Sequence, residues 1–293
     1  MAYEDSYAGI RPIVPVAPRT VRILERVNRF PWWAVAVVLI ALITARTIYL
    51  SETYLEAFQF IVAGLSVTMM TTLTAFMIAL VIGLITGMGR ISHNILGHNI
   101  ATLYVELIRG IPMLVLIFFI ALVGVPTAVQ LLNSFGHWLL ALGLDGIAQP
   151  LILLENKGVP MNVRAIIALA VTYGAFLAEV FRAGIQSIDR GQMEAARSQG
   201  MTYWQAMRYI ILPQAIRNVL PALGNDFISM LKDSSLVSVL AVRDITQVAR
   251  LYAGQTFRYP EAYVTLSVIY LSMTMLLSML VKVLERRYRT HER

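Results

Sequence analysis

Residues 191–213 read "GQMEAARSQGMTYWQAMRYIILP", a polar island between long apolar segments. Its local signals describe a helix, an elbow and a second helix. Asp189 with Gln192 three residues on has the spacing of a helix-starting cap, and Gly200 can close that helix in left-handed geometry without a Cβ clash. Thr202 with Gln205 repeats the cap spacing, so a second helix is expected to begin about two residues after the first ends, and Pro213 to stop it. On the first helix Ala195 and Ala196 leave a shallow surface, while Glu194 and Arg197 place opposite charges three apart. Such a pair suits a docking platform for another protein, and it suits a plain loop helix equally well.

The segments around the island place the chain in a membrane. Of its 293 residues, 58% are hydrophobic and only 14% charged, against about 25% charged in soluble domains. Between Glu56 and Arg90 runs an uncharged stretch longer than the roughly 20 residues a helix needs to cross about 30 Å of hydrocarbon. Cysteine is absent, which removes disulfides and thiolate metal sites. The net charge of +7 is explained by Lys and Arg in cytoplasmic loops, and no basic motif with a reader element points to nucleic acid.

Residues 1–30 carry Pro12, Pro15 and Pro18 among Arg11, Arg19, Arg22, Arg26 and Arg29, a basic arm expected in the cytoplasm. An additional first transmembrane helix follows over 31–50, retained because Arg46 stands where a signal peptide would need small residues. Further spans are expected at 60–88, 105–125, 164–184, 214–240 and 262–283, which makes about six. Alternation from a cytoplasmic N-terminus then puts 185–213 and the basic tail 284–293 inside, where arginines cluster, and 126–163 outside as a connection with a short amphipathic helix. Gly83 and Gly87 form a G-x-x-x-G that permits close helix approach, either within the chain or to a second copy.

Glu194-Ala195-Ala196, three residues, Gly200, nine residues, then Ile210, Leu212 and Pro213 resemble the "EAA…G…I.LP" loop of ATP-binding-cassette importer permeases. "YVELIRGIPMLVLIFF", "AFLAEVFRAGIQSIDRGQ" and "LPALGNDFISMLKDSSLVSVLAV" look like the polar amino-acid branch of that family, so the resemblance runs from about residue 60 to the C-terminus. It implies an all-α integral membrane protein of the type I importer permease fold, with a core over 60–283 and a cytoplasmic coupling helix within the loop 190–213. It also implies the partners: two ATPase subunits that carry the ATP and Mg, a second permease, identical or homologous, and an extracytoplasmic amino-acid-binding protein. The location implied is the bacterial cytoplasmic membrane. The arm, the first helix and the length of the 126–163 connection lie outside the resemblance.

Energy for such transport has to come from a partner, since no G-x-x-x-x-G-K-[ST] phosphate loop occurs in the sequence. Catalysis is not expected either, because the four histidines lack H-E-x-x-H spacing and no G-x-S-x-G elbow is present. An ion-driven secondary transporter remains the alternative class, for which internal repeats are the signature; none is seen. No cofactor or metal is expected on this chain.

Charges inside spans usually face a bundle interior or an aqueous cavity. Glu106 and Arg109, three apart, are expected to pair on one helical face, and Glu179 and Arg182 share that spacing. Glu179 suits a substrate ammonium group or a structural salt bridge. In "NDFISMLKD", Asn225, Ser229 and Lys232 recur at i, i+4 and i+7 with Asp226 and Asp233 beside them, one polar arc opposite Phe227, Ile228, Met230 and Leu231. The arc is expected to line the path of a zwitterionic amino acid, Lys232 meeting a carboxylate and Asp226 an amine, or else to form a polar network holding two permeases together.

Overall fold

The computed structural model describes residues 32–289, so the expected basic arm over 1–30 and the last residues of the tail lie outside the described residues. The chain divides into a unit ending at Thr47 and a larger unit from Ile48 onward. The described part of the first is most of helix α1 (Trp32–Leu50), whose 19 residues are about 28 Å long and match the first expected span.

In the larger unit every regular element among the described residues is helical. Four helical stretches are long and apolar enough to cross a bilayer: Glu52–Ile91, Met113–Ala141, Met161–Gln186 and Tyr259–Leu284. The first comprises α2 (Glu52–Val62) and α3 (Leu65–Ile91). Next comes α4 (Ile95–Gly110), N-capped by Asn94, whose side chain accepts from the amides of Leu96 and Gly97. The expected span over 105–125 is not one helix. Ile111 is extended (φ −108°, ψ 137°) because the residue before a proline is pushed out of helical geometry, and α5 (Met113–Phe119) restarts after Pro112.

A π-helical turn, Ile120–Gly124, carries α5 into α6 (Val125–Ala141), so the helix runs well past residue 125 and the connection starts later than expected. The short α7 (Asp145–Ile152) folds back on α6, where the Asn133 amide donates to the carbonyls of Leu151 and Ile152 at 2.9 Å. At the start of α8 (Met161–Gln186), the buried Arg164 donates to the Asn156, Val159 and Ala121 carbonyls, satisfying a loop that contains no regular ladder.

The main core lies where α3, α5 and α8 meet α11 (Leu212–Asp233), around Ala79, Ile117, Leu169, Leu177 and Met230. Small residues set this seam. A Cβ on Gly83 would stand 2.7 Å from the Leu177 Cβ, and one on Gly87 2.8 Å from the Ala178 carbonyl oxygen. The G-x-x-x-G pair is therefore used within the chain, against α8. In lipid, where apolar burial gives little drive between helices, such close approach supplies the dispersion contacts. A second cluster joins α2 to α12 (Ile245–Thr256) and α13 (Tyr259–Arg289) through Ile61, Ile245, Tyr252 and Leu266.

Candidate functional site

The quoted island folds as α9 (Arg190–Ser198) and α10 (Tyr203–Ala206), with an elbow between them. Asp189 caps α9, its Oδ1 accepting from the Gly191 amide at 2.6 Å. Gly200 has φ +82°, left-handed backbone that L side chains rarely adopt. Thr202 and Gln205 make the reciprocal box: the Gln205 amide donates to Thr202 Oγ1 at 3.3 Å, and the Thr202 amide to Gln205 Oε1 at 2.8 Å.

Pro213 does not stop the second helix. A π-helical turn, Met207–Ile211, passes α10 into α11, and Pro213 falls in the first turn of α11, where a missing amide is tolerated. Consequently α10 is continuous with the helix that carries the polar arc.

The elbow has a bound side and an open side. Ile185, Met207, Ile211 and Ala215 form a buried cluster with Met88, Ile91, Met193 and Tyr203 around it, which fixes α9 and α10 to the ends of α3 and α8. Ala196 and Met207 are buried, whereas Glu194, Ala195, Trp204, Tyr209 and Pro213 are exposed; Ile210 and Leu212 lie half-buried between. Trp204 is 68% exposed, an unusual position for the largest apolar side chain of the segment.

Five charged side chains gather where α3, α4 and α8 meet. Glu179 is the hub. Arg90 donates to its Oε1, and Arg182 to its Oε2 through Nε at 2.9 Å and Nη2 at 2.8 Å. Arg109 reaches the same carboxylate only at 3.9 Å and lies 5.9 Å from the centre of the Phe176 ring. Glu106 pairs with Arg90 at 3.5 Å, so the expected Glu106–Arg109 pair is not formed: the partners come from other helices, which closes α4 onto α3 and α8. Of the two readings left open for Glu179, the ion pair is the one its neighbours favour. Arg90 is 89 positions from Glu179, and no local pattern could have announced it.

The polar arc on α11 keeps its expected face. Asn225 and Lys232 are exposed, Ser229, Asp226 and Asp233 half-buried, and Met230 and Leu231 opposite them are buried. Phe227 packs on Phe76 at 4.8 Å. Tyr173 of α8 donates to Asp233 Oδ2 at 2.7 Å, a contact across helices that the sequence did not suggest. Lys232 makes no ion pair among the described residues. The helix ends at Asp233, sooner than the expected 240, and continues as a 3₁₀ run, Ser234–Leu240.

A helical frame closed by small residues, with several stretches long and apolar enough to cross a bilayer and a capped elbow exposed at one end, is the build of a multi-span membrane subunit. The chain belongs to the family of binding-protein-dependent transport system inner membrane components, whose model matches residues 79–290. Among relatives, the "Probable glutamine ABC transporter permease protein GlnM" of Bacillus subtilis is 37% identical over 79% of this chain and 94% of its own length. The "Probable amino-acid permease protein YxeN" of the same organism is 34% identical over 80% of this chain and 94% of its own. A crystal structure of an amino acid ABC transporter with histidines matches at 38% identity and a TM-score of 0.62, covering 78% of this chain and 94% of that one. The family read from Glu194 to Pro213 is thus the one the chain belongs to, and the all-helical importer permease fold is borne out.

Proposed function

We propose that this chain is the membrane subunit through which a polar amino acid, delivered by an extracytoplasmic binding protein, crosses the bacterial cytoplasmic membrane. ATP is hydrolysed with Mg on two separate ATPase subunits, and a second permease, identical or homologous, completes the path. The observation that carries this reading is the elbow: a doubly capped helix pair pinned on one side and open on the other, continuous with a helix whose polar arc faces outward. Glu194, Ala195, Ala196 and Gly200 shape the surface that an ATPase groove receives, and Ile210, Leu212 and Pro213 transmit its motion into α11. Asn225, Asp226, Ser229, Lys232 and Asp233 line the route, and Glu179 holds the helices beside it. That the curated relatives carry amino-acid and glutamine names supports the substrate class.

Reconstitution tests it. Proteoliposomes containing this chain and its cognate ATPase, with binding protein and labelled L-glutamine or another polar amino acid outside, should accumulate label only when ATP is enclosed. Uptake driven equally well by an ion gradient in the absence of the ATPase would defeat the reading.

A further inference from the structure

The ion-paired cluster at α3, α4 and α8 does not balance. Its linked side chains are three guanidiniums, Arg90, Arg109 and Arg182, against two carboxylates, Glu106 and Glu179, which leaves one positive charge over. Both oxygens of Glu179 are already engaged, Oε1 by Arg90 and Oε2 by Arg182. The surplus therefore resides on Arg109. Its side chain is 46% exposed, its approach to Glu179 is 3.9 Å, and among the described residues it donates no hydrogen bond, although a guanidinium offers five N–H donors in a planar fork. Phe176, itself 38% exposed, lies beneath it at cation–π distance and holds the fork in place. The helix that carries Arg109, α4, packs against α3 and α8, two helices apolar enough to cross a bilayer, and an uncompensated cation beside such helices is stabilised by an aqueous cavity or by an anion.

We propose that Arg109, braced by Phe176, is the anion-binding group of the transport path and receives the α-carboxylate of the transported amino acid. This rests on the function proposed above. A planar guanidinium matches a carboxylate by two parallel hydrogen bonds, which a lysine such as Lys232 cannot reproduce. Glu179 holds the neighbouring guanidiniums and is a positioning residue. The break at Gly110–Pro112 directly after Arg109 ends α4 there, so the side chain is carried at a helix end and not within a packed turn.

The test is equilibrium binding to the intact purified complex of permease and ATPase in detergent. Each protein-building L-amino acid is compared with its α-carboxamide, which keeps the amine and side chain and lacks the anion. In the wild type at least one acid should bind about 30-fold or more tightly than its amide, the range for removing one partner of a buried charge pair. Arg109→Gln should bring that ratio close to one, and Arg109→Lys should retain part of it. A purely structural role would weaken acid and amide alike and leave the ratio unchanged; that outcome overturns the proposal while leaving the transport reading intact. Equal binding of acid and amide by the wild type also overturns it. A wild-type complex that binds none of the amino acids overturns both this inference and the amino-acid path it rests on.

Discussion

Glycine serves two regions of this molecule for opposite reasons. Along the seam of α3 and α8 it is there because nothing larger fits: a Cβ on Gly83, Gly87 or Gly174 would meet Leu177, Ala178 or Ile82 at 2.6–2.8 Å. At the elbow between α9 and α10, Gly200 has nothing within 4 Å and is required only by its φ of +82°. The helical frame is thus specified by volume and the elbow by torsion and caps. A frame held by volume resists change everywhere along its length. An elbow held by torsion keeps its shape while leaving its outer surface exposed.

The first way to break this comparison is Gly87→Val. Its Cβ would sit 2.8 Å from a backbone carbonyl oxygen and 3.0 Å from the Phe181 Cβ, neither of which can swing aside as a flexible side chain would. Overpacking that forces backbone to shift costs about 1–3 kcal/mol, occasionally more, and here two rigid neighbours are met at once. We expect the variant to lose its monodisperse peak on size-exclusion chromatography and to show no transport. A well-folded Gly87→Val protein would mean that the seam is looser than its contacts imply.

The second sharpens the comparison on a single helix, since α11 has a packed face of Met230 and Leu231 and an open polar one. Lys232→Met and Asp226→Asn alter only the latter. Each should lower uptake by about tenfold or more, about 1.4 kcal/mol or more, because both side chains line the proposed route, while the complex with the ATPase co-purifies intact. Loss of the ATPase or of the second permease from both variants would instead assign the arc to assembly.

How much of this was readable beforehand follows the same division. The elbow is local, so Asp189, Gly200, Thr202 and Gln205 disclosed it through spacing alone. Its exit was misread because Pro213 is a stop signal in general, and only the π-helical turn before it makes the proline tolerable. The spans at 60–88, 164–184 and 262–283 were legible as apolar runs, whereas the expected span over 214–240 folds as α11, which among the described residues is not one of the stretches apolar enough to cross a bilayer. The break at Ile111 was missed because the residues on both sides are equally apolar, and Gly110 and Pro112 did not outweigh that pattern. Least legible was the charged cluster: Glu179 could be seen to have Arg182 within a turn, but Arg90 and Arg109 reach it across helices, a product of tertiary packing. Tyr173 and Asp233, 60 positions apart, are hidden for the same reason.

Third in size is Gly200→Val. A β-branched residue held at positive φ costs about 1–3 kcal/mol, and because no neighbour is contacted, the cost falls on the elbow alone. The protein should reach the membrane at normal levels with an unchanged unfolding midpoint of the helical frame, while ATP-driven uptake falls by about 5- to 150-fold. Gly200→Asn, which tolerates left-handed backbone, should recover most of it. Equal uptake by the valine variant would show that the torsion does not govern coupling.

The smallest effect should come from a glycine that neither volume nor torsion explains. Gly97 lies in the first turn of α4, its φ is not in the positive range, and nothing lies within 4 Å of where a Cβ would stand. Its amide donates to the Asn94 side chain, and alanine keeps that donor. Alanine in a helix is favoured over glycine by about 0.5–1 kcal/mol because it has less backbone freedom to lose on folding. Gly97→Ala should therefore raise the thermal midpoint of the purified protein slightly and leave uptake within about twofold of wild type. If the alanine instead destabilised the chain, some contact made at Gly97 in the assembled transporter would have to require the missing side chain, and the division of glycines into packed and torsional would need a third kind, those that another subunit approaches.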